Sequence, residues 1–154
     1  MNIKLKKLFG SGLQIAILST VIGLVSLFVE FNYNHFSDFQ IPFHKVLAIV
    51  FFLLWLALFV YSFISLPNKQ KGNDLITDGV YKYVRHPMYA AFLLFFYMAL
   101  VFYFQSYMVL IAQIISIFVS GKIVDKEEEF MKELFGDEYI EYSNHTKRFI
   151  PFIY

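Results

Sequence analysis

Three long stretches of the chain carry no charged residue, and they set the expected architecture. Leu8 to Val29 runs for 22 residues, Val46 to Leu66 for 21, and Pro87 to Gly121 for 35. The first two each match the roughly 20 residues that cross a hydrocarbon core as a helix. The third would be about 52 Å long as one helix, against a core of about 30 Å. Gln105-Ser106 interrupts it near its middle. The pattern therefore predicts two shorter helices, Met88–Phe104 and Tyr107–Gly121, joined by a tight turn. One long, steeply tilted helix is the alternative. The expected fold is an all-α integral membrane protein. It has four transmembrane helices, the third and fourth as a tight hairpin, in a single membrane domain of residues 1–154. Two N-terminal helices fall in 1–66, and 67–154 forms the other half.

The period changes after Gly121. On a helix from Ile123 to Phe135, at about 100° per residue, Ile123, Val124, Phe130, Met131, Leu134 and Phe135 make one apolar stripe. The wet face takes Asp125, Lys126, Glu129, Lys132 and Glu133. This predicts an amphipathic C-terminal helix on the cytoplasmic side. Glu127 falls in the middle of its apolar stripe and Glu128 at the edge. A carboxylate on an apolar face is costly unless paired or hydrogen-bonded, so Glu127 is expected to have a cationic or donor partner in the protein or on a ligand.

Composition sharpens this. The chain is 58% hydrophobic and 21% aromatic, with mean hydropathy +0.58, which is membrane composition. It has no cysteine, so disulfides, thiolate nucleophiles and cysteine metal sites are excluded. A net charge of +1 provides no field for nucleic acid. Of thirteen cations, twelve lie before the first span, between the second and third, or after the fourth, and Lys45 stands alone on the other side. By the positive-inside rule both termini and the 67–86 loop are cytoplasmic. The first apolar run is too long for a signal-peptide core and lacks a clear cleavage site, so it reads as an uncleaved anchor. The expected setting is a multi-pass protein of a prokaryotic inner or plasma membrane.

Only two of the thirteen cations are arginine, Arg85 and Arg148. Arginine supplies a planar, permanently charged fork that lysine cannot imitate. Arg85 and His86 precede Pro87, which suits a first helical position, so they sit at a helix N-terminus where anions are favoured. Turn signals at Asn73-Asp74 and Asp78-Gly79 lead into them. An Arg-His pair, a Glu-Glu pair and many aromatics beside a membrane would together suit a zwitterionic ligand with an aromatic base. S-adenosylmethionine is such a ligand. His35 and His44 show no partner pattern, and His145 reads as surface.

The segment Leu75-Ile76-Thr77-Asp78-Gly79-Val80-Tyr81-Lys82-Tyr83-Val84-Arg85-His86-Pro87-Met88-Tyr89 resembles the isoprenylcysteine carboxyl methyltransferase family, whose motif neighbours include the phospholipid N-methyltransferases. The likeness continues at Glu127-Glu128, Phe135-Gly136-Asp137-Glu138-Tyr139, Tyr142 and Thr146-Lys147-Arg148-Phe149-Ile150-Pro151. It covers about residues 75–154; residues 1–74 match in hydropathy alone. The resemblance implies a membrane methyltransferase that holds S-adenosylmethionine in its C-terminal half, near the cytoplasmic face, with no metal. Carried over, Tyr81, Arg85, His86, Tyr89, Glu127, Glu128 and Phe149 are cofactor-binding candidates, and Arg148 and Glu127 catalytic ones. Glu129 is left out, because the diacid counted back from Phe135-Gly136 falls at 127–128. Val80, Lys82 and Ala91 depart from the family's usual proline, arginine and glycine. The acceptor is expected to be a lipophilic molecule, isoprenylcysteine carboxylate-like, or a phospholipid amine, met among membrane lipids. Rival classes are an NADPH-dependent membrane reductase and a non-enzymatic membrane module.

Overall fold

The computed structural model describes residues 11–33, 40–65 and 75–151. Helix α1 spans Gly12–Tyr33 and α2 spans His44–Ile64. A 3-10 turn at Gly79–Lys82 leads into α3, Pro87–Phe104, and α4 follows at Tyr107–Phe135. A short α5, Asp137–His145, ends the helical part. Helices α1 to α4 are all long and apolar enough to cross a membrane. The expected start at Leu8, the end at Leu66, Lys4, Lys6, Lys7, His35, Asp38, Lys69, Lys71 and the turn at Asn73-Asp74 lie outside the described residues.

The hairpin forms where the polar pair interrupts the apolar run. Gln105 adopts the left-handed conformation at φ 50°, and Ser106 caps α4 by accepting the Val109 N–H at 3.1 Å. The Gln105 side-chain oxygen also accepts the Ile41 N–H at 2.9 Å.

Close packing of small residues joins α1 to α4. The buried positions of α1 are Ile15, Ser19, Gly23, Ser26 and Glu30, and those of α4 include Ala112, Ser116, Ser120, Gly121 and Val124. Small side chains let two backbones approach where lipid supplies no hydrophobic drive. Tyr97 of α3 keys into this seam: its hydroxyl donates to the Ser19 carbonyl and accepts from Ser116 at 3.1 Å. At one end of the bundle the Ser106 hydroxyl donates to Glu30 at 2.7 Å; at the other, the Ser11 N–H reaches Glu127 at 3.4 Å. The two helices are therefore antiparallel. Most of α2 turns outward, with only Ala48 and Ser62 buried.

Within α3, Ala91–Phe96 is wound as a π-helix. The wider turn is stabilised from α4, where the Gln113 amide donates to the carbonyls of Leu93 and Leu94 at 3.2 and 3.3 Å.

Two expectations change here. The segment Ile123–Phe135 is not a separate helix but the continuation of α4, which runs unbroken for 29 residues. At about 1.5 Å per residue α4 is roughly 43 Å long, so it outruns a core of about 30 Å. Nothing at Gly121-Lys122 breaks it: a single mid-helix glycine costs only about 1 kcal/mol, and there is no proline. It stops at Gly136, whose φ of 55° suits glycine. The buried face is also rotated from the expected one. Glu128, not Glu127, is the buried carboxylate, at 4% exposure, while Glu127 is half-buried and Leu134 is exposed. Cationic side chains cover this face, so burial follows charge pairing and not the apolar stripe.

Candidate active site

The site is built where α3 begins. Gly79, at φ 61°, makes the turn after Asp78, and a Cβ there would stand 2.7 Å from the Ser65 hydroxyl at the end of α2. The chain then passes through Val80, Tyr81 and Val84, which pack together, and reaches Arg85 and His86. The C-terminal segment lies beside it. Val84 pairs with Lys147 in a parallel bridge, the Arg85 N–H donates to the Lys147 carbonyl at 2.7 Å, and the His86 N–H to the Arg148 carbonyl at 3.1 Å. This backbone pairing brings the two arginines of the chain side by side.

Both arginines converge on Glu128. Arg85 Nε donates to Oε1 at 2.8 Å, and Arg148 donates to Oε2 from Nε at 3.1 Å and Nη2 at 2.9 Å. His86 Nε2 lies 3.3 Å from Oε1. Arg148 Nη2 also meets Asp125 at 2.6 Å. Arg85 Nη1 donates to the Ser143 carbonyl at 3.0 Å and to the Thr146 carbonyl. The side chains of Arg85 and Glu128 are 10% and 6% exposed. Removing one partner from such a buried ion pair costs about 3 to 5 kcal/mol.

Beside this knot lies a second, softer pair. The Tyr89 hydroxyl donates to Glu127 at 3.2 Å, and the Tyr89 ring stacks on His86 at 5.2 Å with 11° between planes. Glu127 also accepts the Ser11 N–H at 3.4 Å. Both donors are neutral, and no cation among the described residues forms an ion pair with it.

Three further tyrosines frame the knot. Tyr142 donates its hydroxyl to the Tyr81 carbonyl at 2.6 Å. Burial, with Glu127 adding to it, pushes the Tyr81 phenol up to about 12. Burial also raises the phenols of Tyr139 and Tyr142. All three stay protonated through the physiological range. Tyr139 keeps its hydroxyl buried with no hydrogen-bond partner among the described residues.

The structure brings together Arg85, His86, Tyr89, Glu127, Glu128 and Arg148. It sets Tyr81 against the turn below them, and it places Phe149 in the apolar core with Ile15, Ala90, Leu93 and Val124. Sequence reasoning assigned no role to Asp125, Tyr139 or Tyr142; the last two lay inside the motif already singled out. Ser11 was missed altogether, because it acts through a backbone N–H and leaves no signal in residue type. Among the described residues no group of acidic and histidine side chains is arranged to hold a metal ion.

A model of the phospholipid methyltransferase family matches residues 43–138, well over half of the chain. Among curated proteins, the chain is 35% identical over 100 residues to the protein-S-isoprenylcysteine O-methyltransferase of Saccharomyces cerevisiae, covering 60% of this chain and 39% of that one. It is 34% identical over 95 residues to the Schizosaccharomyces pombe enzyme of the same name, with the same two shares. Protein-S-isoprenylcysteine O-methyltransferase B of Arabidopsis thaliana is 26% identical over 86 residues, 56% of this chain and 44% of that one. The chain thus spans about two fifths of the length of these relatives. No solved structure matches it. The matched segment takes in α2, α3, α4 and the residues of the Arg85–Glu128 pair, and on that match the chain belongs to the phospholipid methyltransferase family.

Proposed function

We propose that the chain is a membrane methyltransferase that binds S-adenosylmethionine and methylates a lipophilic acceptor. The observation that carries this reading is Glu127: a half-buried carboxylate beside the Arg85–Glu128 knot, held by two neutral donors and free of any cation among the described residues. An ammonium group is the natural complement of such a carboxylate. The flat His86–Tyr89 pair beside it suits a base or sulfonium. The guanidinium of Arg85 engages Glu128 and two carbonyls through Nε and Nη1; Nη2 makes none of the described hydrogen bonds, and on this reading it meets the cofactor's carboxylate. The residues present therefore fit a zwitterionic cofactor. They fit a dinucleotide less well, because both arginines already neutralise Glu128 and Asp125.

When bound, the cofactor supplies an electrophilic methyl group on sulfur. The chain's own residues orient and desolvate. Glu128 locks Arg85 and Arg148 in place, and Arg148 thereby acts as a positioning residue that pins the C-terminal segment over the site. Tyr89 holds the Glu127 carboxylate in one orientation. An acceptor that is already a carboxylate needs no base. An amine acceptor has to lose a proton, and Glu127 or His86 is placed to take it. The relatives' names, protein-S-isoprenylcysteine O-methyltransferase, favour the carboxylate. In sequence, twelve of the thirteen cations lie before Leu8, between Leu66 and Pro87, or after Gly121, and Arg85, His86, Glu127, Glu128 and Arg148 belong to the last two of these stretches, which supports a cytoplasmic site by the positive-inside rule.

The test uses S-adenosylmethionine labelled on the transferred methyl. Incubated with the protein and a membrane lipid extract, label is expected in the organic phase. Base-labile label identifies an ester and base-stable label an amine or ether. A prenylated cysteine analogue is the first pure acceptor to try, and an ethanolamine phospholipid the second. Label confined to aqueous acceptors would overturn the lipophilic assignment.

A further inference from the structure

The family match begins at residue 43, yet two residues before it reach the site. Ser11 stands at the start of α1, where the first N–H groups have no partner within the helix. Its N–H points at the Glu127 carboxylate, 3.4 Å away. One residue later the backbone of Gly12 lies against Tyr89. A Cβ added there would stand 3.0 Å from Tyr89 Cε1 and 3.3 Å from its hydroxyl oxygen, tighter than ordinary van der Waals contact. The same Tyr89 ring is stacked on His86. A push from α1 must therefore shift the whole ring or tilt the helix, and either change moves the Tyr89 hydroxyl relative to Glu127.

We infer that the N-terminus of α1 is a working wall of the site: Ser11 and Gly12 position Glu127 and Tyr89 for the cofactor's ammonium, so the first helix sets cofactor affinity as well as anchoring the chain. This inference rests on the methyltransferase reading and adds a positioning role for a helix outside the family match. Further along α1, about two and three turns beyond Gly12, Ser19 and Gly23 pack against Tyr97 and not against the site.

The test is a binding titration of the purified full chain with S-adenosylmethionine. Gly12→Ala and Tyr89→Phe are each expected to weaken binding about tenfold, the loss of one hydrogen bond to a charged group. Because both act on the same contact, the double variant is expected within about twofold of either single. Gly23→Ala is the structural control. Its added methyl would crowd the Tyr97 hydroxyl at 3.3 Å, away from the site, so it is expected to lower the melting temperature with binding within about twofold of wild type. If Gly12→Ala does not fold, the Ser11 pair decides. Ser11→Pro removes the N–H at a position where proline is tolerated, while Ser11→Ala keeps it, and only the proline variant is expected to bind weakly. The juxtaposition is read without cofactor from Ser11→Cys with Glu127→Cys in this cysteine-free chain, which a short bifunctional reagent is expected to cross-link. Wild-type protein that binds no S-adenosylmethionine would sink the methyltransferase reading and this one with it. Wild-type binding that is unchanged by Gly12→Ala and Ser11→Pro would sink this inference alone, as would multiplying losses in the double variant or absence of the cross-link.

Discussion

Replacing Glu128 by glutamine removes one negative charge from between two guanidinium groups and leaves the side-chain volume almost unchanged. Arg85 Nε loses its ionic acceptor at 2.8 Å, and Arg148 loses two contacts at 2.9 and 3.1 Å. A hydrogen bond to a charged group contributes about 1.5 to 3 kcal/mol net, and an amide oxygen retains part of that. Arg148 keeps Asp125, and Arg85 keeps two backbone carbonyls. Neither replaces the lost charge in a site where the Glu128 side chain is 6% exposed. The expected loss is about 3 kcal/mol, toward the lower end of the range for breaking a buried pair. Glu129→Gln, on the exposed side of the same helix, is expected to change stability by less than about 0.5 kcal/mol. Reversible unfolding in detergent micelles, read by circular dichroism, measures both. In a double-mutant cycle, Arg85→Gln with Glu128→Gln is expected to show a coupling of at least about 1 kcal/mol. A Glu128→Gln protein as stable as Glu129→Gln, or additive losses in the cycle, would refute the claim that this knot holds the C-terminal segment in place.

Glu127→Gln is expected to weaken S-adenosylmethionine binding by about tenfold or more while Glu129→Gln stays within about twofold, since only the former meets Tyr89 and Ser11; equal small effects in a titration would remove Glu127 from the site. Arg148→Lys preserves charge and membrane insertion, but one ammonium cannot reproduce the paired Nε and Nη2 donation to Glu128 made while Nη2 also meets Asp125. Its turnover is expected to fall about tenfold at normal expression, and a fully active lysine variant would reduce Arg148 to a topological charge. Single cysteines test the orientation: position 106 is expected to label from outside intact cells, and position 144 only after permeabilisation. Labelling of both from outside would exclude a cytoplasmic site.

The four spans were legible because their length is physical: a 35-residue apolar run cannot cross once as an upright helix. Gln105-Ser106 marked the turn, since serine caps a helix. The end of α4 was not legible, because neither Gly121 nor Lys122 breaks a helix, and polar composition alone does not end one. The site residues were legible as a motif, but their pairing was not. Arg85 and Glu128 are 43 residues apart, and no local rule says which carboxylate of Glu127-Glu128 an arginine will take. A helical wheel weighs apolar neighbours and so favoured Glu127 for burial. The chain instead buries Glu128, because two guanidinium groups and an imidazole surround it. The backbone pairing of 84–86 with 147–148, which brings both arginines together, has no signature in residue type.

A calorimetric titration of the purified full chain with S-adenosylmethionine, run beside NADPH, tests the central claim most directly. One-site saturable binding of S-adenosylmethionine is expected, much weakened in Glu127→Gln, with no heat of binding from NADPH. Silence with S-adenosylmethionine, or saturable binding of NADPH in its place, would contradict a methyltransferase site at Glu127, Tyr89 and Arg85.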